Sequence, residues 1–132
     1  MAKRTNPKRN YPRMARVNEL LREVLAEALE RIDDDRLVDV TVTNVACEAD
    51  IGSAVVHFDV LAGAEADPEV LEAFEELRPR LQAAINRETR LKQTPKLTFA
   101  ADPVIRSAER IDAVLRGLRS HDPGEAAGSD PA

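Results

Sequence analysis

Residues 37–61, LVDVTVTNVACEADIGSAVVHFDVL, contain two strand-like runs separated by a turn-like segment. In the first run Val38, Val40 and Val42 alternate with polar residues, a period-two pattern of β-branched side chains that is typical of strands. The second run sets Ala54, Val56, Phe58 and Val60 against Val55, His57, Asp59 and Leu61. With a turn at residues 48–52, the stretch predicts an antiparallel hairpin, and the elements that cover it decide the fold.

A helix is predicted on the N-terminal side of the hairpin. The apolar residues from Met14 to Ile32 recur at a 3.6-residue period and therefore fall on one face. Pro12 suits a helix start, and the three acids at residues 33–35 end the pattern with residues that prefer turns. An amphipathic helix of this kind needs a sheet on which to bury its apolar stripe.

The C-terminal side of the hairpin predicts more helix and a third strand. Helical spacing of apolar residues begins at Pro68, after Asp67 as a cap, and we expect Pro79 to divide the helix into two pieces joined at residues 77–80. The run PKLTFAAD then places Leu97, Phe99 and Ala101 inward in a strand reached by a crossover. A short final helix is expected with Ser107 as its cap and an apolar side made of Ile111, Val114, Leu115 and Leu118.

The predicted order is α-β-β-α-kink-α-β, with a short C-terminal helix after the last strand. This is an α+β arrangement in which helices cover one face of a three-stranded sheet, and it matches the type II KH topology. A ferredoxin-like βαββαβ domain is the nearest alternative, but it begins with a strand, and the first thirty residues show no strand-like alternation. We expect a basic flexible arm at residues 1–12, one domain at 13–119 and a disordered tail at 120–132.

Composition limits the class of protein. The chain has 132 residues, a formal net charge of −5 and one cysteine, so it has room for one domain and cannot form an internal disulfide. No run of eighteen apolar residues and no signal peptide is seen, which favours a cytoplasmic protein, and we expect a monomer. Aromatic residues make up 3%, so any contact with nucleic acid would depend on charge and shape more than on base stacking.

Charge is distributed unevenly along this acidic chain. Residues 1–18 hold six bases and no acid, residues 65–76 hold six acids and no base, and a second basic stretch follows from residue 78 to residue 96. A solvated face, or acids and bases that complement a helix dipole, would explain the reversal without a partner. The alternative is one phosphate-binding surface whose candidate residues are Arg13, Arg16, Arg78, Arg80, Arg87, Arg90, Lys92 and Lys96.

The chain resembles the bacterial ribosome-binding factor A family. The similar segments are RVNELLREVLAEALERIDDDRL, the hairpin described above, RLKQTPKLTF and SAERIDAVL, which together span residues 16–115. The resemblance implies a type II KH fold, binding to the small ribosomal subunit and its 16S rRNA during late maturation and rRNA processing, and no catalysis. The family's Ala-x-Gly helix kink would fall on Leu77, Arg78 and Pro79, so the glycine is absent, as is the GxxG loop of typical KH domains.

Other functions are less well supported by the sequence. Cys47, Asp50 and His57 do not form a convincing catalytic set, because Cys47 lies at a strand end without a second histidine and His57 alternates like an ordinary strand residue. Metal sites generally need several Cys or His at short spacing, so we expect neither a metal nor a cofactor. Two function classes remain: an RNA-binding assembly factor, and a protein-interaction module whose acidic helix face, residues 65–76, docks a basic ribosomal partner.

Overall fold

The computed structural model describes the chain from residue 7 to residue 120, with side chains from residue 12 to residue 119. Its main elements are α1 (Pro7–Glu30), β1 (Val40–Cys47), β2 (Ser53–Val60), α2 (Asp67–Glu88), β3 (Lys96–Ala101) and α3 (Pro103–Ser120). The chain divides into two compact units after Asp102, so that α1 to β3 belong to the first and α3 to the second. Residues 1–6 of the predicted arm and 121–132 of the predicted tail lie outside the described residues.

The three strands form one mixed sheet in the order β1-β2-β3. β1 and β2 pair antiparallel, whereas β2 and β3 pair parallel, with Ser53 opposite Lys96 and Phe58 opposite Ala101. Both the predicted hairpin and the predicted crossover strand are therefore confirmed. The parallel pairing places the starts of β2 and β3 at the same end of the sheet, next to the β1–β2 turn.

β1 differs from the predicted alternation at two points. It begins at Val40, and Val38 is 72% exposed, so the prediction of Val38 as a strand residue is wrong. A register shift between Val42 and Asn44 then changes the residues that face inward, and Val45 is buried together with Val42. A bulge inserts one residue into a strand, which moves every later side chain to the other face.

The core of the first unit lies between the sheet and helices α1 and α2. One buried cluster contains Leu21 and Leu25 of α1, Phe74 of α2, and alternate residues of β2 and β3, Ala54, Val56, Phe58, Val60, Leu97 and Phe99. Ala101, also predicted inward, is half-buried and packs against this cluster. The rings of Phe74 and Phe99 stack with centroids 4.6 Å apart. The α+β architecture with its helix-covered sheet is therefore confirmed.

Pro12 and Pro79 lie inside helices and do not mark the start and the break that the sequence predicts for them. α1 begins at Pro7 and contains Pro12, and α2 runs without interruption from Asp67 to Glu88 with Pro79 inside it. The prediction of two separate helical pieces is therefore wrong, whereas a bend of this continuous helix at Leu77, Arg78 and Pro79 stays a prediction. Proline removes one backbone donor, and since Pro79 is exposed, the carbonyl four residues earlier loses its partner on the solvent side, where the cost is smallest.

α3 is longer than predicted and begins earlier. Pro103 follows β3 almost directly and suits the first turn of a helix, so Ser107 lies inside α3 and the prediction of Ser107 as its cap is wrong. The four side chains of the predicted apolar side are exposed, from 48% for Leu115 to 65% for Leu118. The predicted apolar side is therefore present on the helix as a solvent-facing stripe.

Candidate nucleic-acid interface

The β1–β2 turn, residues 48–52, is the point at which three parts of the first unit meet. The backbone N–H of Cys47 donates a hydrogen bond to Asn18 Oδ1 of α1 at 2.9 Å. From the loop before β3, Gln93 Nε2 donates to the carbonyl of Asp50 at 3.0 Å, and the N–H of Lys96 donates to the carbonyl of Gly52 at 3.0 Å. We call this end of the sheet the turn end.

The turn itself is held by local bonds and by burial. Ile51 is 6% exposed and has a φ of 60°, a left-handed conformation that is uncommon for a β-branched residue. Its N–H donates to the carbonyl of Glu48 at 2.8 Å, and the N–H of Gly52 donates to Asp50 Oδ1 at 2.8 Å. Burial of the Ile51 side chain offsets the backbone strain, so the turn has a defined position against the core.

Three of the predicted RNA-binding residues lie at the turn end, and two more lie on the N-terminal part of α1. Arg90 and Lys92 lie in the loop that Gln93 ties to the turn, and Lys96 is the first residue of β3. Arg13 and Arg16 precede Asn18 on α1 by about 7.5 Å and 3 Å of helix rise. All five are exposed, and none forms an ion pair with another described residue. Three candidate bases therefore lie beside the turn, and a common surface with Arg13 and Arg16 stays a prediction.

The turn end carries a positive balance of charge. Its own acids are Glu48 and Asp50, both exposed, against the three bases Arg90, Lys92 and Lys96. Glu19, also on α1, is paired with Arg22 at 2.5 Å, and the hydrogen bond from Arg22 lowers the pKa of the Glu19 carboxyl. The surface therefore has an excess of guanidinium and ammonium groups, which donate charged hydrogen bonds to phosphate oxygens.

Arg78 has partners inside the fold instead of facing an open surface. Its Nε donates to the carbonyl of Leu97 at 3.0 Å, and its guanidinium lies 5.9 Å from the centroid of the Phe99 ring. It also pairs with Glu75 one turn earlier on α2. Leu77, the residue before it in the predicted kink, is half-buried and packs on the core.

Arg80 and Arg87 lie in a different place from the turn-end group. They line a cleft between α1 and α2 together with Arg31, which the sequence interpretation did not include. Arg31 and Arg87 both pair with Glu88, at 3.0 Å and 3.2 Å. In the sequence Arg31 is a base just after the apolar stripe of α1, a common place for a solvent-exposed arginine. Only the packing of α1 against α2 shows that Arg31 lies beside Arg80 and Arg87.

Acids dominate the opposite end of the sheet, where β1 begins and α2 starts. Glu65, Glu69 and Glu72 are exposed there, and none pairs with another described residue. Arg36 donates to Asp34 Oδ2 at 2.8 Å and to Glu76 Oε1 at 2.7 Å, and these hydrogen bonds lower the pKa of both carboxyls. We call this region the acidic end.

The residues considered for catalysis have ordinary structural surroundings. Burial raises the pKa of the Cys47 thiol, and the nearby Asp50 and Glu48 raise it further, so the reactive thiolate is disfavoured. His57 Nδ1 lies 3.3 Å from Asn44 Nδ2 on the sheet. Among the described residues, no group of three or more His, Cys, Asp or Glu could hold a metal ion. No helix in the described part of the chain is long and apolar enough to cross a membrane.

Comparisons with known proteins agree on one family. A family model described as ribosome-binding factor A matches residues 13–115. A ribosome-binding factor A from Rubrobacter xylanophilus is 33% identical over 111 residues, which cover 83% of this chain and 90% of that protein.

Solved structures of the same family share the fold. The crystal structure of ribosome-binding factor A from Thermus thermophilus is similar with a TM-score of 0.60 and 28% identity, over 67% of this chain and 93% of that chain. A Thermus thermophilus homology model fitted into the cryo-EM map of a 30S–RbfA complex has a TM-score of 0.53 and 29% identity, over 63% and 88% of the two chains.

Proposed function

Because the chain belongs to the ribosome-binding factor A family, we propose that it is a non-enzymatic, cytoplasmic assembly factor that binds the small (30S) ribosomal subunit through its 16S rRNA during late maturation and rRNA processing. The observation that carries the proposal is a set of exposed bases, with Arg90, Lys92 and Lys96 at the turn end and Arg13 and Arg16 on the N-terminal part of α1.

This surface is suited to the sugar–phosphate backbone. Guanidinium and ammonium groups neutralise phosphates and release counterions, which gives an affinity that does not depend on the RNA sequence. The described surface offers no exposed aromatic side chain on which a base could stack, since Phe58, Phe74 and Phe99 are all buried. Sequence preference would therefore come from the shape of the rRNA that fits around α1, the turn and the loop before β3.

The salt dependence of binding follows from the number of bases. If all five neutralise phosphates, the logarithm of the association constant should fall against the logarithm of salt concentration with a slope of about −4 to −5. Loss of two of them should reduce the slope by about 2 in magnitude. A slope near zero would contradict binding through the RNA backbone.

The test compares two double variants with the same change of charge. Arg90→Glu with Lys92→Glu alters the turn end, whereas Arg110→Glu with Arg119→Glu alters two exposed bases of α3. We expect the first variant to lose co-sedimentation with small subunits and the second to retain it, while both keep the far-UV circular dichroism spectrum of the parent. Equal binding by both variants and the parent would show that the contact lies elsewhere.

The acidic end supports a second candidate function, docking of a basic ribosomal protein. Its support is the exposed set of Glu65, Glu69 and Glu72, unpaired among the described residues, at the far end of the sheet from the bases. Glu69→Lys with Glu72→Lys should then weaken binding to intact subunits and leave binding to protein-free rRNA unchanged. If the two kinds of binding respond equally, the acidic end does not dock a protein.

A further inference from the structure

The cleft between α1 and α2 is formed by residues that are far apart in sequence. It has a volume of about 210 Å³, and three arginines from two helices surround it: Arg31, Arg80 and Arg87. The buried Ala28 and Ala84 line its apolar side and allow the two helices to approach closely. All three arginines are exposed, so their guanidinium groups face solvent at the cleft.

The charges of the cleft are not balanced from within the described fold. Glu88 is the one carboxylate within ion-pair distance of these guanidinium groups among the described residues, and Arg31 and Arg87 share it. Arg80 has no ion pair with another described residue. Three cations and one anion leave an excess of two positive charges, which repel one another unless an external anion binds between them.

The position of the cleft indicates which anion it takes. Arg87 lies at the C-terminal end of α2, three residues before Arg90, so the cleft is close along the chain to the bases of the turn end. From Arg80 to Glu88 the helix rises about 12 Å, which is the length of roughly three to four nucleotides of one strand. The alanines of the cleft offer no group that could read a base, whereas guanidinium forks match phosphate oxygens.

We propose that this three-arginine cleft is a second phosphate-binding site, which holds the backbone of the same RNA that the turn end binds. The inference rests on the proposed function, since it takes the RNA at the turn end as the source of the phosphates. The RNA strand then runs along the C-terminal third of α2, from the cleft at Arg80 and Arg87 to Arg90 at the turn end.

The test uses two double variants and protein-free 16S rRNA. Arg31→Gln with Arg80→Gln removes two of the three cleft charges and leaves the turn end intact, and Arg110→Gln with Arg119→Gln is the control. We expect the cleft variant to reduce the salt slope by about 1.5 to 2 in magnitude and to weaken binding at low salt, with no change for the control. Arg31→Lys with Arg80→Lys should restore the slope because it keeps both charges.

The outcomes separate this inference from the proposed function. An unchanged slope for the glutamine variant, while Arg90→Glu with Lys92→Glu still abolishes binding, would overturn the cleft site alone. Weaker binding to intact subunits without any effect on protein-free rRNA would also overturn it, because the cleft would then contact a protein. If none of the variants alters binding to rRNA or to subunits, the proposed function fails together with the cleft site. Urea unfolding of each variant checks that the fold is retained.

Discussion

Arg78 provides the sharpest test of how the structure distinguishes a structural base from an RNA-binding one. In β3 the residues alternate between bonding to β2 and facing the free edge of the sheet, and Leu97 faces that edge. Arg78 Nε donates to the Leu97 carbonyl at 3.0 Å, and Gln82 Oε1 accepts from the Leu97 N–H at 3.1 Å. Two side chains of α2 thus take the place of a fourth strand at this point.

The cost of removing Arg78 can be worked out from its contacts. A hydrogen bond from a charged donor contributes about 1.5–3 kcal/mol, and the 28% exposure of the side chain places this one near the lower value. The cation–π contact with Phe99 adds about 0.5–1 kcal/mol and the exposed pair with Glu75 about 0.3 kcal/mol. Arg78→Ala should therefore lower the free energy of unfolding by about 2–3 kcal/mol, or the melting temperature by roughly 10 °C.

Urea unfolding followed by circular dichroism measures this difference. Arg80→Ala is the matched control, since Arg80 lies on the same helix and is exposed without an ion pair to a described residue, so its unfolding free energy should change by less than about 0.5 kcal/mol. Arg78→Lys keeps the charge but not the planar fork and should fall between the two. The reasoning is refuted if Arg78→Ala is as stable as Arg80→Ala and instead loses affinity for small subunits.

Three further predictions concern the stability and reactivity of the first unit. Asn18→Ala leaves the N–H of Cys47 without its acceptor and should cost about 1–2 kcal/mol in urea unfolding, whereas Asn18→Asp, which keeps an acceptor oxygen, should cost less. Because Arg36 lowers the pKa of Asp34 and Glu76, these two ion pairs contribute to folding stability above the ordinary carboxyl pKa near 4, and the contribution is lost as the pH falls. The difference in unfolding free energy between the parent and Arg36→Gln, measured over an acid titration, should therefore shrink toward about pH 2. A difference that stays constant with pH would contradict this prediction. Because burial raises the pKa of the Cys47 thiol, this thiol should react with iodoacetamide at neutral pH more slowly than the thiol of a free cysteine peptide. Equal rates would show that burial neither shields the Cys47 thiol nor disfavours its thiolate.

The sequence predicts the sheet and the main helices well because their signals are local. The buried residues of β2 alternate as its sequence does, two of the three predicted inward residues of β3 are buried, and the apolar stripe of α1 contains the buried Leu21 and Leu25. The errors occur where the outcome depends on the surroundings. Proline at position 79 predicts a break only if the lost bond is costly, and its exposure on α2 makes that cost small.

The candidate interface could be predicted in composition but not in arrangement. The sequence indicates which bases are present, and the structure places three of the eight candidates, Arg90, Lys92 and Lys96, at one end of the sheet. It does not show that Arg78 bonds to Leu97, because that contact joins residues 19 positions apart through the packing of α2 on β3. Nor does it show that Arg31 joins Arg80 and Arg87, which requires the crossing of α1 and α2.

The separation of charge along the sheet explains how a chain with a net charge of −5 can present a surface for a polyanion. β2 has eight residues, so the turn end and the acidic end are about 26 Å apart. At physiological salt the Debye length is about 8 Å, so the acids at the far end lie roughly three screening lengths from an RNA bound at the turn end. Their repulsion at that distance is almost fully screened, so the bases at the turn end would dominate the field that a bound RNA meets. In the reverse orientation the acidic end would meet the RNA at contact distance, where repulsion is strong, so the same charge distribution that permits binding also selects its direction.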